Sequence, residues 1–220
     1  MKLLSIVVPM LDERAQLPAL LDHLDAFAAE AEILLVDGGS GDGGPAYARH
    51  RGFRVLDAPR GRARQMNAGA AATRGEWLLF LHADTRLPAG ALGQIRWSGR
   101  RWGRFDVRIA GRSPWLAVVA AMMNLRSRLT GIATGDQAIF VRRNAFEAVG
   151  GFPDQPLMED IELSRRLKRL GPPACLPGPA LTSGRRWEEN GVWRTIVLMW
   201  SLRLAYWLGA DPKTLAARYR

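Results

Sequence analysis

The sequence predicts a single α/β domain with a mostly parallel central sheet flanked by helices. Three observations predict it. Short, almost continuously apolar runs recur at 3–8, 33–36, 53–56 and 77–81, and helical patterns alternate with them. Two of those runs stop at an aspartate, Asp37 and Asp84, and open α/β sheets bind ligands outside the carboxyl ends of their strands. The 220 residues, 48% of them apolar, suffice for one substantial core, and no unit repeats along the chain.

Taken in order, Leu4, Ile6, Val7 and Val8 make 3–8 a buried strand. The run ends at Pro9 without a small-residue cleavage site, and it is too short for a signal peptide. Residues 13–27 put Leu17, Leu20, Leu21, Leu24 and Phe27 on one helical face. After Asp37, a loop with Gly38, Gly39, Gly41, Gly43 and Gly44 opens a short helix. The strand at 53–56 leads through an Arg/Gly turn to an Ala-rich helix at 63–73. The fourth strand stops at His82-Ala83-Asp84.

The second half is less regular. Phe105, Val107 and Ile109 alternate with Arg104, Asp106 and Arg108, which predicts a half-exposed strand. A helix is expected over 116–129, a short strand over 137–141, and a helical turn over 144–149 ended by Gly150-Gly151. Another helix is expected over 157–170, closed by Gly171 and Pro172. Pro173, Pro177 and Pro179 predict a turn-rich edge over 173–179. The helix expected at 192–208 carries Trp193, Met199, Trp200, Tyr206 and Trp207, and Arg194 and Arg203 interrupt it. It is too short and too charged for a membrane span. An interfacial helix remains open, as does one packed on the domain or on a second subunit. This divides the chain into a body, 1–185, and an aromatic-rich helical segment, 186–220.

The formal net charge is +10, and nearly all the cations are arginine. They are spread along the chain, without zinc-finger spacing or an RNP-type strand, so nucleic acid is not the expected partner. Phosphorylated small molecules and anionic membrane surfaces both fit such a charge. Cys175 is the only cysteine, which excludes an internal disulfide and a thiolate metal cluster.

Three carboxylate groups could carry chemistry. Asp84 leaves a buried strand and enters a loop, as a turn cap or as a ligand of Mn²⁺ or Mg²⁺. A strand puts residues i and i+2 on one side, so His82 could face the same ion or contact phosphate. Asp37 stands before a glycine-rich loop that is neither a dinucleotide fingerprint nor a P-loop. Asp160, with Glu159 beside it, opens a helix, where it could favour the helix N-terminus or act as general base. Asp136 and Gln137 could receive acceptor hydroxyls. Arg60, Arg62 and Arg64 crowd one helix entry. Arg185, Arg186 and Trp187 could close over a diphosphate or simply face water. His23 and His50 lack metal-ligand spacing, and no nucleophile elbow surrounds Ser40 or Ser183.

At this point the residues resemble the family 2 glycosyltransferases, which have the GT-A fold. Pro9 to Glu13 looks like that family's opening turn. Val36-Asp37-Gly38-Gly39-Ser40-Gly41-Asp42 looks like its V-D-x-x-S-x-D loop. Gly75-Glu76 through Phe80-Leu81-His82-Ala83-Asp84 looks like its G-E-x-x-x-F-L-D-A-D segment. Gly150-Gly151-Phe152 with Glu159-Asp160 looks like its G-G-F … E-D segment. A small bacterial subgroup shares His-Ala-Asp and the stretch from Gly61 to Asn67.

The resemblance implies an inverting, metal-dependent transferase using a nucleotide sugar, usually a UDP-sugar. Asp37 would contact the base, Asp84 with His82 would hold Mn²⁺ or Mg²⁺, and Asp160, with Glu159 beside it, would be the base. Pro9, Glu13, Asp37, Arg62, Arg64, Asn67, Ala83, Asp84 and Arg185 would bind the donor. His82 replaces the first Asp of the family's D-x-D, and Met66 stands where many members have Arg. No long paired membrane helices follow, so a cytoplasmic enzyme is expected, with peripheral attachment to the inner face of the membrane left open. The acceptor is not specified; the aromatic helix fits a lipid-linked or apolar one, or a homodimer. The alternatives are a Mg²⁺-dependent nucleotidyltransferase on a related sheet and a non-catalytic nucleotide-sugar-binding protein.

Overall fold

The computed structural model describes residues 2–219. Its first half is a parallel sheet of four strands, β1 (Leu4–Met10), β2 (Ala31–Asp37), β3 (Arg54–Asp57) and β4 (Trp77–Phe80), in the order β3-β2-β1-β4. Every residue of β1 is buried, as a strand covered on both faces requires. Alternation sorts its side chains: Ile6 and Val8 meet Leu17, Leu20, Leu21 and Leu24 of α1 (Leu17–Asp25), while Val7 meets Ala63, Met66 and Ala70 of α3 (Arg62–Ala71). The short α2 (Gly44–His50) follows the glycine loop. Helix α1 starts four residues later than the apolar pattern suggested, because Pro18 fits the first turn and Glu13 to Gln16 form the turn before it.

The sheet then becomes mixed and reaches eight strands, continuing β4-β7-β6-β8-β5. Its members are β5 (Thr85–Arg86), β6 (Trp102–Ala110), β7 (Phe140–Arg142) and β8 (Ala174–Ser183). Strand β7 runs antiparallel to both β4 and β6; β6 and β8 are parallel; β5 is antiparallel to β8. Around them lie α4 (Ala91–Arg96), α5 (Trp115–Thr130), α6 (Arg143–Ala148), α7 (Glu159–Lys168), α8 (Arg185–Asn190), α9 (Val192–Trp207) and α10 (Pro212–Tyr219).

Three expectations for this half are corrected. The proline-rich stretch is part of strand β8, not a turn-rich edge. Gly103 to Phe105 pair with Ala174 to Leu176 and Val107 to Ala110 pair with Ala180 to Ser183, while Pro177-Gly178-Pro179 lies between, where the ladder needs no N–H. Arg104 is fully buried rather than exposed, because α5 covers that face of β6. Its Nε donates to Ser127 Oγ (3.0 Å), Nη2 donates to the Asn124 carbonyl (3.2 Å), and Nη1 pairs with Asp106. The strand expected from Gln137 begins at Phe140; Gly135–Gln137 is a single 3-10 turn.

Gly69 shows how closely α3 sits on the sheet: a Cβ there would lie 2.3 Å from Val7 Cγ1 and 2.9 Å from Val36 Cγ2. Gly69→Ala should therefore destabilise the fold by about 1–3 kcal/mol through overpacking, despite the better helix propensity of alanine. Urea unfolding measures this; an unchanged or higher midpoint would mean that helix and sheet are less tightly packed than described.

Candidate active site

The loops after β1 and β2 are fastened to each other. Asp12 N–H donates to Ser40 Oγ (2.9 Å), Asp12 Oδ1 accepts the Gly41 N–H (2.8 Å), and Asp42 Oδ2 accepts the Arg14 N–H (2.6 Å). Buried Gln65 of α3 bridges the two strand ends, its Nε2 donating to the carbonyls of Met10 and Val36, both at 2.8 Å. Pro9 is buried in β1. The Asp37 carboxylate is also buried. Oδ2 accepts the N–H groups of Gly39 (2.9 Å) and Ser40 (3.0 Å), and Oδ1 accepts Ser40 Oγ (2.5 Å). Its first task is thus to shape its own loop, and Oδ1 keeps capacity for a further donor.

Beyond β4 the chain enters the His82-Ala83-Asp84 turn. Ala83 is buried, and Arg86 Nη1 holds the turn by donating to the carbonyls of Ala83 (3.0 Å) and Thr85 (3.1 Å). The half-buried Asp84 accepts Thr85 Oγ1 at 3.2 Å. Its carbonyl accepts the Ser183 N–H, and Thr85 pairs with Thr182 of β8, which brings Arg185 to the same edge of the sheet. Glu13 lies in this field as well. Burial raises its pKa and Asp84 adds to the rise, while Arg185 and His82 oppose it. The largely buried His82 ring turns to the second half of the chain, with Nδ1 3.3 Å from Asp136 Oδ1. Gly135 lies against the ring so closely that a Cβ would fall 2.2 Å from Cε1.

Asp160 reaches the same place from α7. Its Oδ2 accepts the Gly135 N–H (2.9 Å) and its Oδ1 accepts the Ile161 N–H (2.7 Å). Burial, with Glu159 adjacent, pushes its pKa up to about 6 against the Gly135 hydrogen bond and Arg62. Glu159 points inward and is buried, with Oε1 3.3 Å from Arg62 Nη1. Burial would raise Asp136, but the His82 hydrogen bond together with Arg62 and Arg186 holds it below the usual carboxylate range. Among the described residues, three non-glycine residues adopt left-handed backbone: Asp12 (φ +53°), Ala138 (φ +48°) and Met158 (φ +66°). All three flank these loops, where strain of about 1–3 kcal/mol per residue is held by the surroundings.

Most of the anticipated residues meet here: Glu13, Arg62, His82, Ala83, Asp84, Glu159, Asp160 and Arg185, with Asp37 and Pro9 on the adjoining strand ends. Two stand apart. Arg64 forms a two-pronged pair with exposed Asp154 (2.8 and 2.9 Å). Both ends of the Asn67 amide are engaged by the backbone of Phe152, Nδ2 to the carbonyl (2.8 Å) and Oδ1 from the N–H (2.9 Å).

Two groups and one contact at the cleft were not anticipated. Arg126 of α5 lies in the field of Asp160 and Asp136, with Nε and Nη2 buried and lacking a hydrogen-bond partner. Tyr219 of α10 sits under Arg186, whose Cζ is 3.6 Å from the ring centroid, and it shares the field of Arg62, Asp136 and Asp160. The pairing of Asp136 with His82 was also unforeseen. Sequence spacing carries no signal for these contacts. A wider concavity, lined by Lys2, Glu32, Arg51 and Arg54, lies at the amino end of β2, away from the cleft.

Among the described residues, no three His, Cys, Asp or Glu side chains gather closely enough to hold an ion by themselves. The donor set still fits Mg²⁺ or Mn²⁺, which is commonly held by one or two carboxylates and completed by substrate phosphates and water. Asp84 supplies such a carboxylate, whereas His82 Nδ1 is directed at Asp136.

Residues 5–95 match the model of Glycosyl transferase family 2. The structure of S. aureus TarS with UDP-GlcNAc superposes with a TM-score of 0.68 at 17% identity, covering 83% of this chain and 58% of that one. The chain has a GT-A-like glycosyltransferase fold. The same fold relates it to the mannosyltransferase PcManGT from Pyrobaculum calidifontis with GDP-Man and Mn²⁺ (TM-score 0.62, 20% identity, 82% of this chain and 56% of that one). It also relates it to glucosyl-3-phosphoglycerate synthase from Mycobacterium tuberculosis with Mn²⁺, UDP and glucosyl-3-phosphoglycerate (TM-score 0.60, 18% identity, 83% and 70%). In sequence, 91 residues are 38% identical to a PGL/p-HBAD biosynthesis glycosyltransferase of Mycobacterium tuberculosis (strain ATCC 25618 / H37Rv). That match covers 38% of this chain and 36% of the relative, so it spans about a third of that relative's length.

Two stability measurements follow from this GT-A-like site. Asn67→Ala should cost about 1–3 kcal/mol by leaving both backbone groups of Phe152 without partners; a lower denaturant midpoint is expected, and an unaltered one would free Asn67 for another role. For Asp160, the folded state binds the proton more tightly than the unfolded chain between pH 3.8 and about 6, so stability is lost as pH rises through that window. Asp160→Asn should remove this loss, so the stability difference between variant and wild type should shift in favour of the variant by roughly 1–2 kcal/mol between pH 4 and 7.5, whatever the fixed cost of the altered hydrogen bonds. Urea unfolding at the two pH values measures it, and a difference that does not change with pH would contradict the raised proton affinity.

Proposed function

We propose that this protein is an inverting, metal-dependent glycosyltransferase that moves a sugar from a nucleoside diphosphate sugar, UDP-linked by preference, to an acceptor hydroxyl. The observation that carries the reading is the hydrogen-bonded link between the two segments that carry Asp84 and Asp160. Asp84 stands beyond the end of a parallel strand, and Asp160 is a half-buried acid joined to it through Gly135, Asp136 and His82. A diphosphate needs the first, and proton removal at neutral pH suits the second. The family match over 5–95 supports the donor half of this reading, as do related folds holding UDP-GlcNAc, GDP-Man and UDP.

In this reading the base lies over the loops of β1 and β2, with Asp37 as acceptor for a base N–H. Arg62 and Arg185 face the diphosphate. A divalent cation held by Asp84 would offset the charge that develops on the departing diphosphate. Asp160 takes the proton from the acceptor hydroxyl as its oxygen attacks the anomeric carbon. The bond from that carbon to the diphosphate breaks, its electron pair leaves with the nucleotide, and configuration inverts. Glu159, paired with Arg62, raises the proton affinity of Asp160. The acceptor enters between α5, the Gly135–Gln137 turn and α10, where Arg126 offers two unengaged donors.

A screen of melting temperature against sugar nucleotides, with and without Mn²⁺, tests the donor and identifies it; no shift with any sugar nucleotide would remove the reading. Asp84→Asn should abolish the Mn²⁺ dependence of UDP binding in calorimetry. Asp160→Asn should lower turnover by roughly 10²-fold or more while sparing donor affinity. In the wild type, kcat/KM should fall as pH drops through about 6, because Asp160 must be unprotonated to act. A profile flat from pH 5 to 8 would exclude Asp160 as the base.

A further inference from the structure

Among the described residues thirteen large hydrophobic side chains are exposed, and eleven of them belong to α5, to α9 or to Leu208 just beyond α9. On α5 they are Trp115, Val118, Met122, Leu125 and Leu129, and on α9 they are Trp193, Val197, Trp200, Leu204 and Trp207. Each set recurs every three or four residues and forms one stripe along its helix. The stripes join at Trp115 and Trp193, whose ring centroids are 4.9 Å apart. The opposite faces are already occupied. Leu116, Val119 and Ala120 of α5 pack on Val107 and Ile109 of β6, while Leu198, Leu202 and Ala205 of α9 pack on Leu157 and Met158. The outer face amounts to about six fully exposed large side chains, roughly 1,000 Å², against roughly 300–600 Å² for the largest patch of a typical monomer.

Charge decides what covers it. Neither helix contains an acidic residue. Arg194 is exposed and Arg203 half-exposed on α9, and neither forms an ion pair among the described residues. The whole chain carries +10. A second copy meeting this face through a two-fold axis would set like charges against each other. Anionic headgroups complement them, and tryptophan in register along a helix suits the membrane–water interface. No helix among the described residues is long and apolar enough to cross a membrane, so such helices would lie in the plane of the headgroups.

We propose that α5 and α9 together form a docking face for an anionic bilayer surface. This goes beyond glycosyl transfer and stands without it. Leu157 and Met158 lead directly into Glu159 and Asp160, so docking sets the candidate base about one helix diameter, ~10 Å, from the lipid.

Flotation of the full chain with vesicles tests this, using phosphatidylcholine alone or mixed with phosphatidylglycerol. The wild type should float with the anionic vesicles, with a partition coefficient roughly tenfold or more above that for zwitterionic ones. High salt should lower it. Trp200→Ser combined with Leu204→Ser should remain in the aqueous fraction, and so should Arg194→Glu combined with Arg203→Glu. An unchanged thermal transition confirms that each variant is folded. Wild type that stays in solution with anionic vesicles at low salt overturns the proposal. So does a Trp200/Leu204 variant that floats as well as the wild type. A wild-type dimer in sedimentation, dissociated by that variant and indifferent to vesicles, would assign the face to a second copy.

Discussion

A short run of hydrogen bonds between the two halves of the chain fixes everything else about the cleft. The Asp160 carboxylate receives the Gly135 N–H, and the next residue, Asp136, meets the His82 ring at the end of β4. Gly135 has to be glycine for this to happen, because the imidazole occupies the space a side chain would need. Three elements of different origin, a parallel strand end, a 3-10 turn and a helix N-terminus, are thereby held within one hydrogen-bonded chain. Loss of any of these contacts would leave a buried or half-buried polar group unpartnered, which is costly in a low-dielectric setting.

The first half was readable because its physics is local. Strands covered on both faces are almost continuously apolar, as β4 is throughout and as β1 and β2 are apart from Ser5, Glu32 and Asp37. Carboxyl ends of parallel strands gather ligand-binding groups, so Asp37 and Asp84 could be placed before any fold was known. The second half depends on pairings that leave little local trace. Pro177 and Pro179 look like strand breakers, but they fall in a gap between two paired segments. Arg104 looks solvent-facing by alternation, yet α5 lies over it and supplies Ser127 and Asn124 as partners. Arg126 and Tyr219 are ordinary residues in sequence, and only the approach of α5 and α10 to the cleft distinguishes them.

The arginine excess divides along the same lines. Several arginines are structural: Arg104 inside α5 and β6, Arg143 donating to the carbonyls of Gly75 and Ala70, and Arg64 clasping Asp154. Others stand beside the cleft acids: Arg62 and Arg186 lower the proton affinity of Asp136, and Arg62 lowers that of Asp160. A third set, Arg194 and Arg203, lies on an apolar helix with no acidic neighbour of its own. A single net charge therefore summarises three unrelated duties, and composition alone could not separate them.

The pairing of Thr85 with Thr182 has a bearing on how the molecule is assembled. These hydroxyls are 97 residues apart in the chain and 3.1 Å apart in space, and the contact fastens the loop carrying Asp84. Strands β1 to β4 lie within the first eighty residues and can associate as soon as they are synthesised. The Asp84 loop, by contrast, has no strand partner until β8 exists, and closing so long a segment carries a large entropic cost. On a ribosome, the anchor of the Asp84 loop would be missing until residues 174–183 have emerged, so products truncated before β8 would lack it.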